Sequence, residues 1–277
     1  MSSADRVHLT LSAALHCAAG LALTAAVTWL GQAWLNWPPQ SMLQALVVFA
    51  AIGAVIMLAI PRQLPLRAFG SANRVTLLRA ALVACLCGLL GSPVVVAEQG
   101  WLMCTLALAA SALDAVDGWL ARRSGATSRF GARFDMEIDA LFILVLAVLV
   151  WQTGRVGAWI WLAGGLRYLF LAAGWLWPWL GSDLPASKRR QTVCVVQILV
   201  LITCLSPPMG PFLSVIMSAG SLVSLVASFA IDVIWLARLA KPRSKPTRAG
   251  IDPRWTMYGV SSRSNQSVDF GPGGGQK

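Results

Sequence analysis

Five of the eleven acidic residues in this chain of 277 lie within one short stretch, residues 114–139. Asp114 and Asp117 are three positions apart, so they share one face of a helix. Asp135 and Asp139 are four positions apart and share a face of a second helix in the same way. Ser, Gly and Thr at residues 124–127 interrupt the helical pattern between the two pairs. The spacing therefore predicts two pairs of carboxylates that face each other.

Four oxygen-donor side chains on two facing helices predict a site for a hard divalent cation, Mg²⁺ or Mn²⁺, which substrate phosphates would complete. Gly118 and Gly131 lie about one turn from the carboxylates, and the missing Cβ would let a phosphate or nucleotide come close. Arg122 shares the face of Gly118 and can bind a phosphate. His8 and His16, the two histidines, both precede this region, so we expect a carboxylate as the general base.

The helices that position these carboxylates belong to a membrane protein. Hydrophobic residues make up 57% of the chain and charged residues 12%, and the mean hydropathy is +0.68, which excludes an ordinary soluble domain. Apolar runs of about 20 residues recur, which is the length of a helix that crosses a bilayer. They predict an all-α, polytopic membrane bundle of about eight transmembrane helices, at residues 9–30, 42–60, 75–97, 101–120, 138–153, 157–180, 191–206 and 211–238.

The distribution of basic residues predicts how these helices are oriented. Threading the eight spans in turn places 19 of the 22 Lys and Arg residues on one side of the membrane. The positive-inside rule makes this side cytoplasmic, with both termini and the carboxylates, in an integral plasma (inner) membrane protein. The net charge of +11 then reflects topology and attraction to anionic membrane lipid, and no nucleic acid is expected as a partner.

Eight positions in residues 114–139 satisfy the pattern D-x2-D-G-x2-A-R-x8-G-x3-D-x3-D without a gap. They are Asp114, Asp117, Gly118, Ala121, Arg122, Gly131, Asp135 and Asp139. The sequence therefore resembles the CDP-alcohol phosphotransferase (CDP-alcohol phosphatidyltransferase) family. A shorter element, N-x2-T-x2-R, is similar to a second element of that family and is formed by Asn73, Thr76 and Arg79. The resemblance extends more loosely from residue 73 to about residue 238.

Four segments are predicted along the chain when the family's six-helix core is taken into account. Residues 1–60 form two accessory N-terminal transmembrane helices, and residues 61–74 an interfacial amphipathic segment that mixes Pro, Arg and apolar residues. Residues 75–240 form the six-helix catalytic membrane core. Residues 241–277, rich in Pro, Gly, Ser and Arg, form a disordered, basic cytoplasmic tail.

The resemblance implies an enzyme in which a CDP-linked lipid or alcohol donates its phosphoryl-containing group to a hydroxyl, while CMP leaves. It implies that Asp114, Asp117 and Asp135 hold a divalent metal, that Asp139 also lines the metal site, and that Asp135 and Asp139 are catalytic. Asp139 is the implied general base. The residues implied for CDP and its diphosphate are Asn73, Thr76, Arg79, Gly118, Ala121, Arg122 and Gly131. Structural ion pairing and helix packing are the alternative roles for these side chains. Members of the family are often homodimers, so a homodimeric partner is also implied.

Basic side chains near the cytoplasmic side are candidates for binding an acceptor that itself bears phosphate, such as glycerol 3-phosphate or inositol phosphate. They are Arg129, Arg133, Arg167, Lys188, Arg189 and Arg190. The positive-inside rule explains most of them equally well, but Arg167 lies near the middle of a predicted span and should meet an acid or an anionic ligand. Glu137 is expected to bind an interfacial arginine, and Asp232 a local basic partner. Met136 and Ala140 stand where many phosphatidylglycerophosphate synthases have Pro and Lys, which does not favour a glycerophosphate acceptor.

The leading hypothesis is a phospholipid-synthesising transferase that moves a phosphatidyl group from CDP-diacylglycerol to a small polar alcohol. A CDP-amino alcohol that donates to diacylglycerol is the alternative within the family. A divalent-cation transporter is the alternative from another class, and it leaves the glycine and arginine positions of the motif without a purpose. A catalytically silent scaffold is opposed by the intact acidic positions.

Overall fold

The structure, a computed structural model, describes residues 3–59, 70–124, 129–181 and 187–240. Within these ranges the regular elements are helical and no residue lies in a strand. The α-helices are α1 (Ser3–Leu35), α2 (Gln40–Ala59), α3 (Ser71–Cys87), α4 (Pro93–Glu98), α5 (Gly100–Ser124), α6 (Arg129–Gln152), α7 (Leu162–Leu176), α8 (Lys188–Leu205) and α9 (Pro211–Ala240). Short 3-10 helices at Ala158–Trp161 and Pro178–Gly181 flank α7, and the first of them runs directly into it. Most of the predicted segment 61–74 and all of the tail 241–277 lie outside the described residues.

Five helical stretches in the described part of the chain are long and apolar enough to cross a membrane. They are Leu9–Leu35, Gln40–Ala59, Gly100–Gly118, Ala158–Leu176 and Pro211–Leu239. The prediction of an all-helical, polytopic membrane protein is thereby confirmed. The other three predicted spans correspond to α3, α6 and α8, which have 17, 24 and 18 residues and carry two, five and three charged side chains. Within the described residues, length and composition identify five spans, and the count of eight stays a prediction.

The prediction of one continuous helix over residues 75–97 is wrong. α3 ends before the predicted boundary, a turn follows, and α4 begins a new helix at Pro93. Gly91 in this turn has a φ of +85°, which glycine adopts without a steric penalty, and proline is well suited to the first turn of a helix. The side chain of Gln152 at the end of α6 holds the turn, since it accepts from the Gly91 amide at 2.9 Å and donates to the Leu89 carbonyl at 3.3 Å.

α3 is the helix on which the other elements converge. It packs against α1, α2, α5 and α6, and its side chains from Ala80 to Leu86 are almost all buried. α8 packs against α5, α6 and α9, and α7 packs against α6. α6 and α7 come close at Gly164, where a Cβ would lie 2.3 Å from the Cα of Leu144, so a larger residue cannot fit without movement. Since α3 contacts both α5 and α6, it brings the N-x2-T-x2-R element to the acidic motif.

Candidate active site

Four carboxylates from two helices surround one arginine. Asp114 and Asp117 lie on α5, Asp135 and Asp139 lie on α6, and Arg79 lies on α3. The Arg79 Nη1 atom donates to Asp114 Oδ1 at 2.5 Å and to Asp135 Oδ1 at 2.9 Å, and Nη2 donates to Asp139 Oδ1. Asp117 Oδ2 lies 3.5 Å from Arg79 Nη1. The two pairs of carboxylates therefore face each other, as their spacing predicts.

The cluster has a closed side and an open side. Arg79 is 0% exposed and Asp117 is 4% exposed. The side chains of Asp114, Asp135 and Asp139 are 37%, 38% and 30% exposed. An arginine stays charged in proteins, so its burial requires acids around it. Arg79 therefore forms the inner wall of the cluster, and three carboxylates reach the open side.

The open side has the donor set that a divalent cation requires. Asp114, Asp135 and Asp139 can each offer one carboxylate oxygen within 4.8 Å of the others. In the described part of the chain, their bonds to arginine use Oδ1 of each residue, which leaves Oδ2 of each for another ligand. Mg²⁺ and Mn²⁺ prefer oxygen ligands of this kind, and Mg²⁺ typically retains water and substrate phosphate as further ligands. The residues present thus fit the predicted metal.

One face of α3 meets the carboxylates. Asn73, Thr76 and Arg79 follow one another at intervals of three positions, so they lie along one side of the helix. All three are buried, and Thr76 Oγ1 donates a hydrogen bond to Asp117 Oδ2 at 2.9 Å. The N-x2-T-x2-R element therefore contacts the acidic motif directly, and Asp117 is held by two residues of α3.

The remaining residues of the motif are placed only in part. Gly118 on α5 and Gly131 on α6 are half-buried. Ala121 and Arg122 lie in the last turns of α5, and Arg129 is the first residue of α6, but the side chains of these three lie outside the described residues. Their predicted contacts with CDP or the acceptor therefore stay predictions.

Arg167, the basic residue expected near the middle of a span, has an acid partner. Its Nη2 atom donates to Glu137 Oε1 at 2.5 Å, which joins α7 to α6. The expectation that Arg167 meets an acid is confirmed, and the arginine that binds Glu137 is this mid-span residue rather than the interfacial one expected. Arg133 on α6 and Lys188 on α8 are exposed.

The basic segment at the start of α8 is joined to α9. Arg189 donates to Asp232 Oδ1 at 2.5 Å and to the Ser228 carbonyl at 2.6 Å. Arg190 Nη1 lies 3.5 Å from the other oxygen of Asp232. Asp232 is thereby confirmed as a local charge partner. These contacts pack α8 against α9, and a role for Arg189 and Arg190 in acceptor binding stays a prediction.

The sequence analysis missed the ion pairs of Arg79. The family resemblance placed this residue near the nucleotide and its diphosphate, whereas the structure pairs it with all four aspartates. A signal was present, because Arg79 falls within an apolar predicted span and a charge there needs an acid partner. The same argument applies to Arg167, and both arginines have acid partners.

Comparison with known proteins finds a matching family. The sequence model for CDP-alcohol phosphatidyltransferase matches residues 69–231, more than half of the chain. The matched region includes helices α3 to α8 and both motif elements, and it begins after α1 and α2. No solved structure matches the chain.

The chain belongs to the CDP-alcohol phosphatidyltransferase family. It is a CMP-forming phosphotransferase whose substrates are a CDP-alcohol donor and an alcohol acceptor. The family uses a divalent metal, which is consistent with the carboxylate cluster of α5 and α6.

Proposed function

We propose that this protein synthesises a phospholipid by moving a phosphatidyl group from CDP-diacylglycerol to the hydroxyl of a small polar acceptor, with release of CMP. The observation that carries the proposal is the convergence of Asp114, Asp117, Asp135 and Asp139 from two helices, with three of them reaching an open side. A Mg²⁺ or Mn²⁺ ion bound by these carboxylates would neutralise negative charge on the diphosphate and on the departing CMP.

Asp139 is the proposed general base. The hydroxyl oxygen of the acceptor attacks the phosphorus that carries the diacylglycerol, and the bond between this phosphorus and the oxygen of CMP breaks. The hydroxyl proton passes to Asp139, whose side chain is 30% exposed and whose Oδ1 is held by Arg79. This contact orients the carboxylate. Asp135, held by the same arginine, is the second proposed catalytic residue.

CDP and its diphosphate are proposed to lie beside the metal, between α3, α5 and α6. Asn73 and Thr76 line this region from α3, and the half-buried Gly118 and Gly131 give space on α5 and α6. Ala121 and Arg122 complete the proposed set by their place in the motif. The family model matches this region of the sequence, which supports the proposed site for CDP.

The acceptor is proposed to be a small alcohol, with a phosphate-bearing one as the first choice to test. Arg133 and Lys188 are exposed, and Arg129, Arg167, Arg189 and Arg190 complete the basic set. In three of them the guanidinium already has an acidic partner, which holds it in place. Glycerol 3-phosphate and inositol phosphate are the two acceptors of this class that we would test first.

The proposed orientation places both termini and the active site on the cytoplasmic side of the plasma (inner) membrane, with eight spans in all. The distribution of Lys and Arg supports this sidedness. Residues 1–60 are the proposed accessory pair of helices, 61–74 an interfacial segment, 75–240 the catalytic core and 241–277 a basic tail. A homodimer is the proposed assembly.

Transport of a divalent cation through the carboxylate cluster is the weaker proposal. Arg79 is fully buried against all four aspartates, so a fixed positive charge closes the inner side of the cluster to a passing cation. Transfer from a CDP-amino alcohol to diacylglycerol remains the alternative reaction, because it needs the same carboxylates.

CMP release by the purified protein in lipid tests the proposal. CDP-diacylglycerol is supplied with Mg²⁺ or Mn²⁺ and with a panel of acceptors, and EDTA and Asp139→Asn serve as controls. Release that needs both metal and one acceptor supports the proposed function and names the acceptor. Release only with a CDP-amino alcohol and diacylglycerol supports the alternative reaction. Metal flux into liposomes without any CMP release supports transport.

A further inference from the structure

Arg79 occupies a position in which it can neutralise the carboxylates but not reach the open side of the site. It is 0% exposed, whereas Asp114, Asp135 and Asp139 have side chains that are 30–38% exposed. Both of its terminal nitrogens already donate to carboxylate oxygens. A diphosphate that enters from the open side would therefore meet the aspartates before it met Arg79.

The contacts of Arg79 divide the carboxylate oxygens into two sets. The inner set, Oδ1 of Asp114, Asp135 and Asp139, accepts from the guanidinium. The second set, Oδ2 of the same residues, has no hydrogen-bond or ion-pair partner among the described residues. A guanidinium suits this role because it is planar, permanently charged and able to donate to several acids at once.

Repulsion among the carboxylates favours a buried positive charge beside them. Four ionised carboxylates around one point repel one another, and three of them come within 4.8 Å of each other. One buried guanidinium reduces the charge of the cluster from −4 to −3 and attracts every member of it. A divalent ion would reduce the charge further from the opposite side.

We propose that Arg79 is a built-in counter-cation, which offsets the mutual repulsion of the four aspartates before metal binds and thereby lowers the affinity of the site for metal. It is a positioning residue that acts through the four aspartates, and not a ligand of the diphosphate as the resemblance implies. The inference rests on the proposed function only in taking these aspartates as metal ligands.

Mn²⁺ binding without any substrate tests the proposal, with purified protein in detergent. Thermal unfolding is recorded in EDTA and in Mn²⁺, and the Mn²⁺ dissociation constant is measured by calorimetry. We expect Arg79→Gln to lower the melting temperature in EDTA, to show a larger rise on adding Mn²⁺ than wild type, and to bind Mn²⁺ about 10- to 100-fold more tightly, because a positive charge has been removed from beside the metal. Arg79→Lys keeps the charge and is expected to bind Mn²⁺ much as wild type does.

Arg155→Gln is the matched control, because it also removes an arginine that forms hydrogen bonds within the protein but lies away from the carboxylate cluster. Arg155 donates to the carbonyls of Cys204 and Ser206 at 3.1 and 2.7 Å, at the opposite end of α8 from its basic segment. Its replacement should lower the melting temperature equally in EDTA and in Mn²⁺ and leave the Mn²⁺ dissociation constant unchanged. If Arg79→Gln needs metal to fold, it is purified in Mn²⁺ and the metal is then withdrawn, and unfolding on withdrawal supports the proposal.

Other outcomes separate the inference from the proposed function. Equal or weaker Mn²⁺ binding by folded Arg79→Gln would overturn the role of counter-cation. Loss of CDP binding by this variant with unchanged Mn²⁺ binding would overturn it as well, since Arg79 would then be a nucleotide ligand. No Mn²⁺ binding by wild type would instead contradict the metal site of the proposed function.

Discussion

The Thr76→Val substitution tests whether one buried hydrogen bond orients the Asp117 carboxylate for metal binding. Thr76 and Asp117 are 3% and 4% exposed, and the hydroxyl donates to Asp117 Oδ2 at 2.9 Å. Valine keeps the branched shape of threonine but removes this donor, and buried Asp117 has little access to water that could replace it. A hydrogen bond to a charged group contributes about 1.5–3 kcal/mol. At about 1.4 kcal/mol for each factor of ten, this corresponds to metal binding weaker by about 10- to 100-fold.

The assay is CMP release as a function of Mn²⁺ concentration, together with direct Mn²⁺ binding by calorimetry. We expect Thr76→Val to raise the half-maximal Mn²⁺ concentration by about 10- to 100-fold, the range typical for loss of a residue that orients a metal ligand. Thr76→Ser keeps the hydroxyl and should remain close to wild type. An unchanged Mn²⁺ dependence in folded Thr76→Val would refute the reasoning, because the hydrogen bond would then contribute to packing alone.

Three further predictions address the base, the packing and the metal. Asp139→Asn should lower kcat by about 10²- to 10⁴-fold while sparing much of the binding of CDP-diacylglycerol measured by calorimetry, and equal loss of both would contradict a role as base. Gly164→Ala should lower the melting temperature, at a cost of about 1–3 kcal/mol, because the added methyl would lie 2.3 Å from the Cα of Leu144. Gly165→Ala is its control, since an added Cβ there would have no atom within 4 Å among the described residues beyond its own stretch of helix, and equal melting temperatures would argue against the close approach. EDTA should abolish CMP release and added Mn²⁺ should restore it, and activity that persists in EDTA would exclude a metal-dependent reaction.

The acidic motif could be interpreted from the sequence because its information is local. Spacings of three and four positions determine which carboxylates share a helical face, and no distant residue alters that geometry. The end of one helix at Ser124 and the start of the next at Arg129 were equally local, since small and polar residues in the sequence between them do not favour a helix. The predicted facing of the two carboxylate pairs is therefore present in the structure. The division of residues 75–97 into α3 and α4 was also encoded locally, by Gly91 and Pro93, but a long apolar run concealed it.

The sequence predicted that certain charged side chains need an ion-pair partner on another helix, but it did not predict which residue that partner is. A charged side chain inside an apolar span must find a partner, and this applied to Arg167 before its contact with Glu137 was seen. Which acid would serve each arginine was open, because several acids lie at similar depth. Asp232 shows the same limit, since a basic partner was expected and the structure identifies Arg189 and Arg190.

The amino-acid sequence by itself determined that the chain is a helical membrane protein with a carboxylate motif, because composition, run length and helical periodicity are properties of neighbouring residues. Only the tertiary structure decided that Arg79 lies at the centre of the four aspartates, and that Thr76 holds Asp117. These contacts join residues 35 to 60 positions apart, on α3, α5 and α6. They depend on how three helices pack around one another, which the spacing within each helix does not specify.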